Sequence, residues 1–215
     1  MIDVFQHQLG TLFTGLVTSL EISGLVAIFA FALGSLIAIF RISPIGPLRA
    51  VGLVYVEIFR NIPVMSLIIL VTFALPGLNI RFGFFRSVIV ALTLIGASFV
   101  CEALRSGVNA VGAGQIEAGR AIGLNFPQLL RLVVLPQAFR TVVQPLVTVV
   151  IGLFLSSSLA GVVGVMDLTQ TANRINTLQA LGLSIYVAAA VLYVAIALII
   201  AWVGGRIERA VRIVR

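Results

Sequence analysis

The stretch from Glu117 to Pro136 reads EAGRAIGLNFPQLLRLVVLP, a polar island in an otherwise apolar chain. It holds one Glu and two Arg, two Gly, an Asn-Phe-Pro turn signal and a closing Leu-Pro. On either side of it the sequence turns into long apolar runs. Three precede it, at about 15–40, 51–75 and 85–104, and two follow, at about 141–163 and 182–204. A run of about 20 apolar residues is enough to cross a bilayer as a helix. These runs are continuous, whereas a β-barrel would show short alternating strands. The fold class is therefore all-α and integral to the membrane. One transmembrane domain over residues 1–215 is expected, with five transmembrane helices and a polar loop at about 106–140.

Composition excludes several function classes. Of 215 residues, 60% are hydrophobic and 10% charged, too little polar surface to coat a soluble domain. The net charge of +7 comes wholly from Arg, because the chain contains no Lys. A basic surface can mark nucleic-acid binding, but here the Arg residues flank apolar spans as orientation signals do. No nucleic-acid partner is expected, and the membrane lipid is the expected surrounding. Without Lys there is no GxxxxGK[ST] phosphate loop, so the chain does not bind ATP through that motif. One Cys, Cys101, lies inside an apolar run, where packing is its expected role, and His7 is the only His. Neither a disulfide framework nor a His/Cys metal site is expected. The segment MIDVFQHQLG lacks the basic n-region of a cleaved signal peptide, so the first span is expected in the mature protein.

Arg placement sets the orientation. With the N-terminus outside, the inner segments hold Arg41, Arg49, Arg105, Arg120, Arg131, Arg140, Arg206, Arg209, Arg212 and Arg215. The outer loops hold only Arg81, Arg86 and Arg174, and Arg60 falls inside the second span. The expectation is N-out and C-in, with the polar island in the cytoplasm.

The island reads as two short helices. The first covers Gln115 to Leu124, with Glu117 and Arg120 as an i,i+3 pair. Asn125-Phe126-Pro127 breaks it, leaving Phe126 exposed, and Pro127 suits the first turn of a second helix over Gln128 to Val134. Gly119 and Gly123 lie four apart, on one face of a continuing helix, where a partner helix could approach closely. Physically this is a docking element, either an amphipathic helix at the membrane surface or a helix offered to a groove on a soluble partner.

The same residues resemble the EAA loop of permease subunits in bacterial ABC importers. Glu117-Ala118-Gly119, then Gly123, then Val133, Leu135 and Pro136 follow the spacing of that motif, with Gly119 in place of an Ala and Val133 in place of an Ile. EIFRNIPVMSLIIL at Glu57–Leu70 and SSSLAGVVGVMDLTQTA at Ser156–Ala172 are similar to segments of polar amino acid permeases. The resemblance implies a type I ABC importer transmembrane domain in the bacterial plasma (inner) membrane. It implies a second permease subunit, two cytoplasmic ABC ATPase subunits carrying ATP and Mg, and an extracellular or periplasmic amino acid binding protein. Glu117, Ala118, Gly119, Gly123, Leu124 and Pro136 would then form the ATPase-coupling element, and this chain would not itself be an enzyme. Transport of a polar amino acid, of glutamate or glutamine type, is the implied activity.

Other polar residues lie within the spans. An Arg at mid-membrane costs about 2.5–3.5 kcal/mol on insertion scales, so Arg60 must face protein or water. It can pair with Glu57 one turn back, or line a pathway and meet a substrate carboxylate. Asn61 and Pro63 predict a broken helix at this depth, a feature of transporter binding sites. Ser156, Ser157 and Ser158 bond back to their own helix or face the pathway. Glu21 is expected near the outer interface. Glu102 is expected to pair with Arg105, and Asp167 to cap a helix over Leu168 to Asn173. The competing functions are a stand-alone secondary carrier or channel for a small polar solute, which no internal inverted repeat supports, and a membrane enzyme. With the only His at position 7 no Ser/His/Asp set is expected, and a two-carboxylate site would have to draw on Glu21, Glu57, Glu102 or Asp167 from scattered depths.

Overall fold

The computed structural model describes residues 2–211, with side chains from Gln8 onward, so His7, Arg212 and Arg215 lie outside the side chains described. Among the described residues all regular structure is helical. The order is α1 (Ile2–Ile42), α2 (Gly46–Asn61), α3 (Val64–Ile69), α4 (Phe84–Asn109), α5 (Ala113–Ala121), α6 (Phe126–Leu129), α7 (Leu135–Ser156), α8 (Leu168–Gln179) and α9 (Leu183–Val211). Four stretches, Gln8–Ile42, Phe84–Asn109, Phe126–Val163 and Leu183–Val211, are each long and apolar enough to cross a membrane. Gly46–Asn61 and Val64–Leu78 are apolar enough only when taken together, as one broken span or a re-entrant loop, and they are bent by 102° at their junction.

The break lies where the sequence places it. Ile62 and Pro63 adopt extended conformations, and Pro63 has no N–H to continue the ladder. Beyond α3 the chain passes through a π turn at Leu70–Ala74 and a 3-10 turn at Leu75–Leu78, closed by Asn79 in the left-handed region.

Small residues let the spans approach. A Cβ on Gly34 of α1 would stand 2.7 Å from the carbonyl oxygen of Ala97 and from Val100 Cβ of α4. That close seam joins α1 to α4, as small residues do between membrane helices. The main core gathers Ile22, Val26 and Ala30 of α1, Leu67 and Ile68 of α3, Leu92 and Ile95 of α4, and Leu153 of α7. A second cluster ties Leu12 and Leu16 of α1 to Phe154, to Leu168 and Ile175 of α8, and to Ile185 of α9. Cys101 is fully buried with Ile37, Ala38 and Val56, the packing role expected of it. Val187, Val191, Val194, Leu198 and Trp202 form an exposed apolar face on α9, as a surface turned to lipid or to another subunit requires.

The fourth span begins earlier than expected. Residues 128–134 do not form a separate short helix. Instead α6 runs through a π turn at Leu130–Val134 straight into α7, and the helix continues as a 3-10 segment at Ser157–Val163. The Leu135 N–H reaches back to the Leu130 carbonyl, one residue further than in an α-helix, so the chain passes Pro136 without a break. The independent loop thus shrinks from 106–140 to the segment between Asn109 and Phe126.

Candidate functional site

Two places carry the polar residues singled out from sequence. The first is the α5–α6 turn. Gly119 of α5 is buried, and a Cβ there would stand 2.5 Å from Leu129 Cδ1. Absence of a side chain lets α5 settle directly on α6. After Ala121 the helix ends. Gly123 takes φ +85°, its N–H donates to the Arg120 carbonyl at 2.9 Å, and the Leu124 N–H donates to the Gly119 carbonyl at 3.1 Å. This is a left-handed helix stop of the kind glycine favours. Asn125 then opens α6 with a capping box. Its Oδ1 accepts from the Gln128 N–H, and Gln128 Oε1 accepts from the Asn125 N–H, both at 3.0 Å.

That geometry corrects one expectation. Gly119 and Gly123 do not form a shared glycine face for a partner helix, because Gly119 packs inward and Gly123 lies outside the helix. A second correction concerns Glu117 and Arg120. Both are exposed, and no ion pair joins them among the described residues. Beside these charges two large apolar side chains also face outward: Ile122 is 78% and Phe126 72% exposed, as expected of Phe126. Ala118 is exposed beside them, Leu124 is half-buried, and Pro136 is exposed in the first turn of α7. Replacing Asn125 with Ala removes the side-chain acceptor of the Gln128 N–H and is expected to lower stability by about 1 kcal/mol, read as a lower thermal unfolding temperature.

The second place is the α2–α3 break. Asn61 Nδ2 donates to the Glu57 carbonyl at 2.7 Å and lies 3.5 Å from Glu57 Oε2. Glu57 therefore turns to Asn61, and the expected Glu57–Arg60 ion pair does not form. Arg60 is exposed and has no carboxylate partner among the described residues. Just beyond the break, α3 packs against the 157–163 segment. There Ser157 is fully buried, its Oγ donating to the Phe154 carbonyl at 2.6 Å, the bond back to its own helix. Ser156 and Ser158 are half-buried. No hydrogen bond joins these serines to Glu57, Arg60 or Asn61 among the described residues.

Two polar clusters exceed the sequence reading. Glu102 accepts from Arg105 at 2.9 Å, the expected pair, and also from Arg41 of α1 at 3.0 Å. The signal was available in the topology: Arg41 closes the first span and Glu102 lies near the same end of the third. Asp167 caps α8, accepting from the Thr169 N–H at 3.0 Å and the Gln170 N–H at 3.2 Å. It is fully buried, and Tyr193 of α9 donates to it at 3.2 Å while accepting from Thr169 Oγ1 at 3.1 Å. Ser19 of α1 accepts from the adjacent Leu168 N–H at 3.1 Å.

Burial raises the Asp167 carboxyl above the ordinary carboxylate range, against the lowering effect of these hydrogen bonds. A carboxyl whose folded value is raised stabilises the fold below its unfolded value, and that contribution is lost as pH rises through the folded value. Asp167→Asn keeps an acceptor without the charge. It is expected to remove this part of the pH dependence of thermal unfolding on the acid side of neutrality.

Four helices of membrane length, a helix pair broken at a polar Asn-Ile-Pro, and an exposed turn between α4 and α7 make up a polytopic membrane protein. The chain belongs to the family of binding-protein-dependent transport system inner membrane components, whose model matches residues 30–213. It is thus a multi-pass inner-membrane permease subunit of an ABC importer. It is 35% identical over 164 residues to the probable glutamine ABC transporter permease protein GlnM of Bacillus subtilis (strain 168), covering 76% of each chain. It is 31% identical over 220 residues to the glutamate/aspartate import permease protein GltJ of Escherichia coli (strain K12), covering 95% of this chain and 89% of the other. Among solved structures, a crystal structure of an amino acid ABC transporter with histidines matches with a TM-score of 0.91 at 26% identity, covering 96% of both chains. Inward-facing structures of the MetNI methionine ABC transporter match with a TM-score of 0.78 at 27% identity, covering 96% of this chain and 98% of the other.

Proposed function

We propose that this permease carries a polar amino acid of the glutamate or glutamine type, and that its α5–α6 turn couples transport to ATP hydrolysis on a partner. The carrying observation is the turn itself. Ile122 and Phe126 stand exposed on a backbone held by Gly123, Asn125 and Gln128. A rigid apolar tip of this form suits a cleft on a soluble subunit, whereas a lipid-bound helix would offer a longer apolar face. In this reading two ABC ATPase subunits bind ATP and Mg, and their closure biases the permease between outward and inward access.

The N-out, C-in orientation follows from the Arg distribution and brings the turn to the cytoplasm. The unpaired guanidinium of Arg60 at the broken span supports a substrate with a carboxylate. Asn61 and the serines at 156 and 158 are further candidates for the pathway. A second permease subunit, alike or different, completes the translocation path, and an external binding protein delivers the substrate.

The test is ATPase activity in liposomes holding this chain, its partner permease and an ATPase subunit, with binding protein and a panel of polar amino acids. Stimulation by glutamate, glutamine or a close analogue supports the reading. Failure to associate with any ATPase would overturn the coupling role, and stimulation by a non-polar amino acid alone would overturn the substrate class.

A further inference from the structure

The Arg-rich end of the bundle carries a groove between α1, α4 and α7, about 490 Å3 in volume. Its walls include Ile39, Ile42, Leu104, Val108, Phe139 and Val142, and Arg105 lies among them. Ile39 and Phe139 are 60% and 61% exposed, so the chain does not fill the groove itself. Such walls offer nothing to a polar solute, but within a membrane they suit hydrocarbon.

The charge beside the groove is unbalanced. Arg41 and Arg105 share the single carboxylate of Glu102, and no other ion pair reaches either of them among the described residues. Arg41 Nη1 is buried with no acceptor. Two guanidiniums against one carboxylate leave excess positive charge in a poorly solvated place, which favours an added anion. Arg105 keeps 36% of its side chain exposed and is the accessible member. Basic pockets between spans on the cytoplasmic side are suited to anionic lipid headgroups.

We propose that this groove holds an anionic phospholipid of the cytoplasmic leaflet, an acyl chain lying along the apolar walls and the phosphate meeting Arg105. The occupant is a lipid rather than free phosphate because the groove requires hydrocarbon. The leaflet assignment rests on the N-out, C-in orientation proposed above.

The test is native mass spectrometry of the purified transporter complex equilibrated with mixed phosphatidylglycerol and phosphatidylcholine. The wild type is expected to retain phosphatidylglycerol preferentially. Arg105→Gln is expected to lower the ratio of the two lipids about fivefold, the contribution of one basic side chain near a membrane surface. Ile39→Trp leaves the charges in place and fills the groove, and it is expected to release bound lipid of both kinds. Equal retention of the two lipids by the wild type overturns the proposal. So does an unchanged ratio in Arg105→Gln, or, where that variant does not assemble, unchanged retention in Ile39→Trp. A disulfide between two copies carrying Ile39→Cys would show that a second permease covers the groove, and would overturn it too. None of these readouts uses transport or ATP turnover, so a failure here is distinct from failure of the substrate or coupling reading.

Discussion

Gly123→Asp is expected to abolish amino acid uptake while leaving basal ATP hydrolysis measurable in the reconstituted complex. The backbone at 123 has φ +85°, and a Cβ there would meet open space. Asp is among the side chains best tolerated in that conformation, so the turn survives the substitution. What changes is the docking surface. A carboxylate would enter beside Ile122 and Phe126, and burying an unpaired charge against a partner costs several kcal/mol. Each 1.4 kcal/mol is about tenfold in affinity, so the loss of coupling should be far more than tenfold. Gly123→Asn supplies the control, with the same backbone tolerance and no charge, and uptake near wild type is expected. Uptake and ATPase activity are measured in the same liposomes. Normal uptake by Gly123→Asp would remove the docking role from this turn.

Glu102→Gln is the substitution with the largest expected effect on stability. It leaves Arg41 and Arg105 facing each other across a neutral amide, with the Arg41 side chain only 12% exposed. Removing one partner of a buried pair costs about 3–5 kcal/mol. Glu102 retains 19% of its side-chain exposure, which argues for the low end. A marked fall in the thermal unfolding temperature in detergent is expected. Replacing all three residues with apolar ones of similar volume should recover much of it, because the penalty lies in unpaired charge rather than lost packing. An unfolding temperature equal to wild type in Glu102→Gln would mean that water already solvates the cluster.

The bundle was legible because its causes are local. Apolar runs of membrane length marked four spans and the bent α2–α3 pair, and Asn61-Ile62-Pro63 marked the break between α2 and α3. Pro127 after Asn125 gave the start of α6. The start of the fourth span was not legible. Leu135-Pro136 read as a helix stop, yet a π turn carries the helix past it, and i→i+5 bonding leaves no period in the sequence. The two glycines were misread for a related reason: a four-residue spacing describes one face only if the helix continues, and Gly123 ends it. Arg41 was missed at the Glu102 cluster because 61 residues separate the two, and only the parallel packing of α1 against α4 brings their C-terminal ends together. The Glu57–Arg60 pair was a plausible local contact that Asn61, sitting at the break, displaced.

The unbroken passage of the fourth span has a mechanical consequence. From Phe126, exposed at the tip of the turn, to Val163, buried in the main apolar core, the chain is one helical stretch of 38 residues. At about 1.5 Å per residue it is a strut roughly 57 Å long. No loop interrupts it, although Pro145 lies inside α7 and a π turn and a 3-10 segment flank it, the usual places for a helix to bend. Pivoting near its middle, where Gly204 of α9 packs on Val147, the strut would swing its ends in opposite senses. If the tip is the coupling point proposed above, an inward displacement there would appear as an outward one at the opposite end.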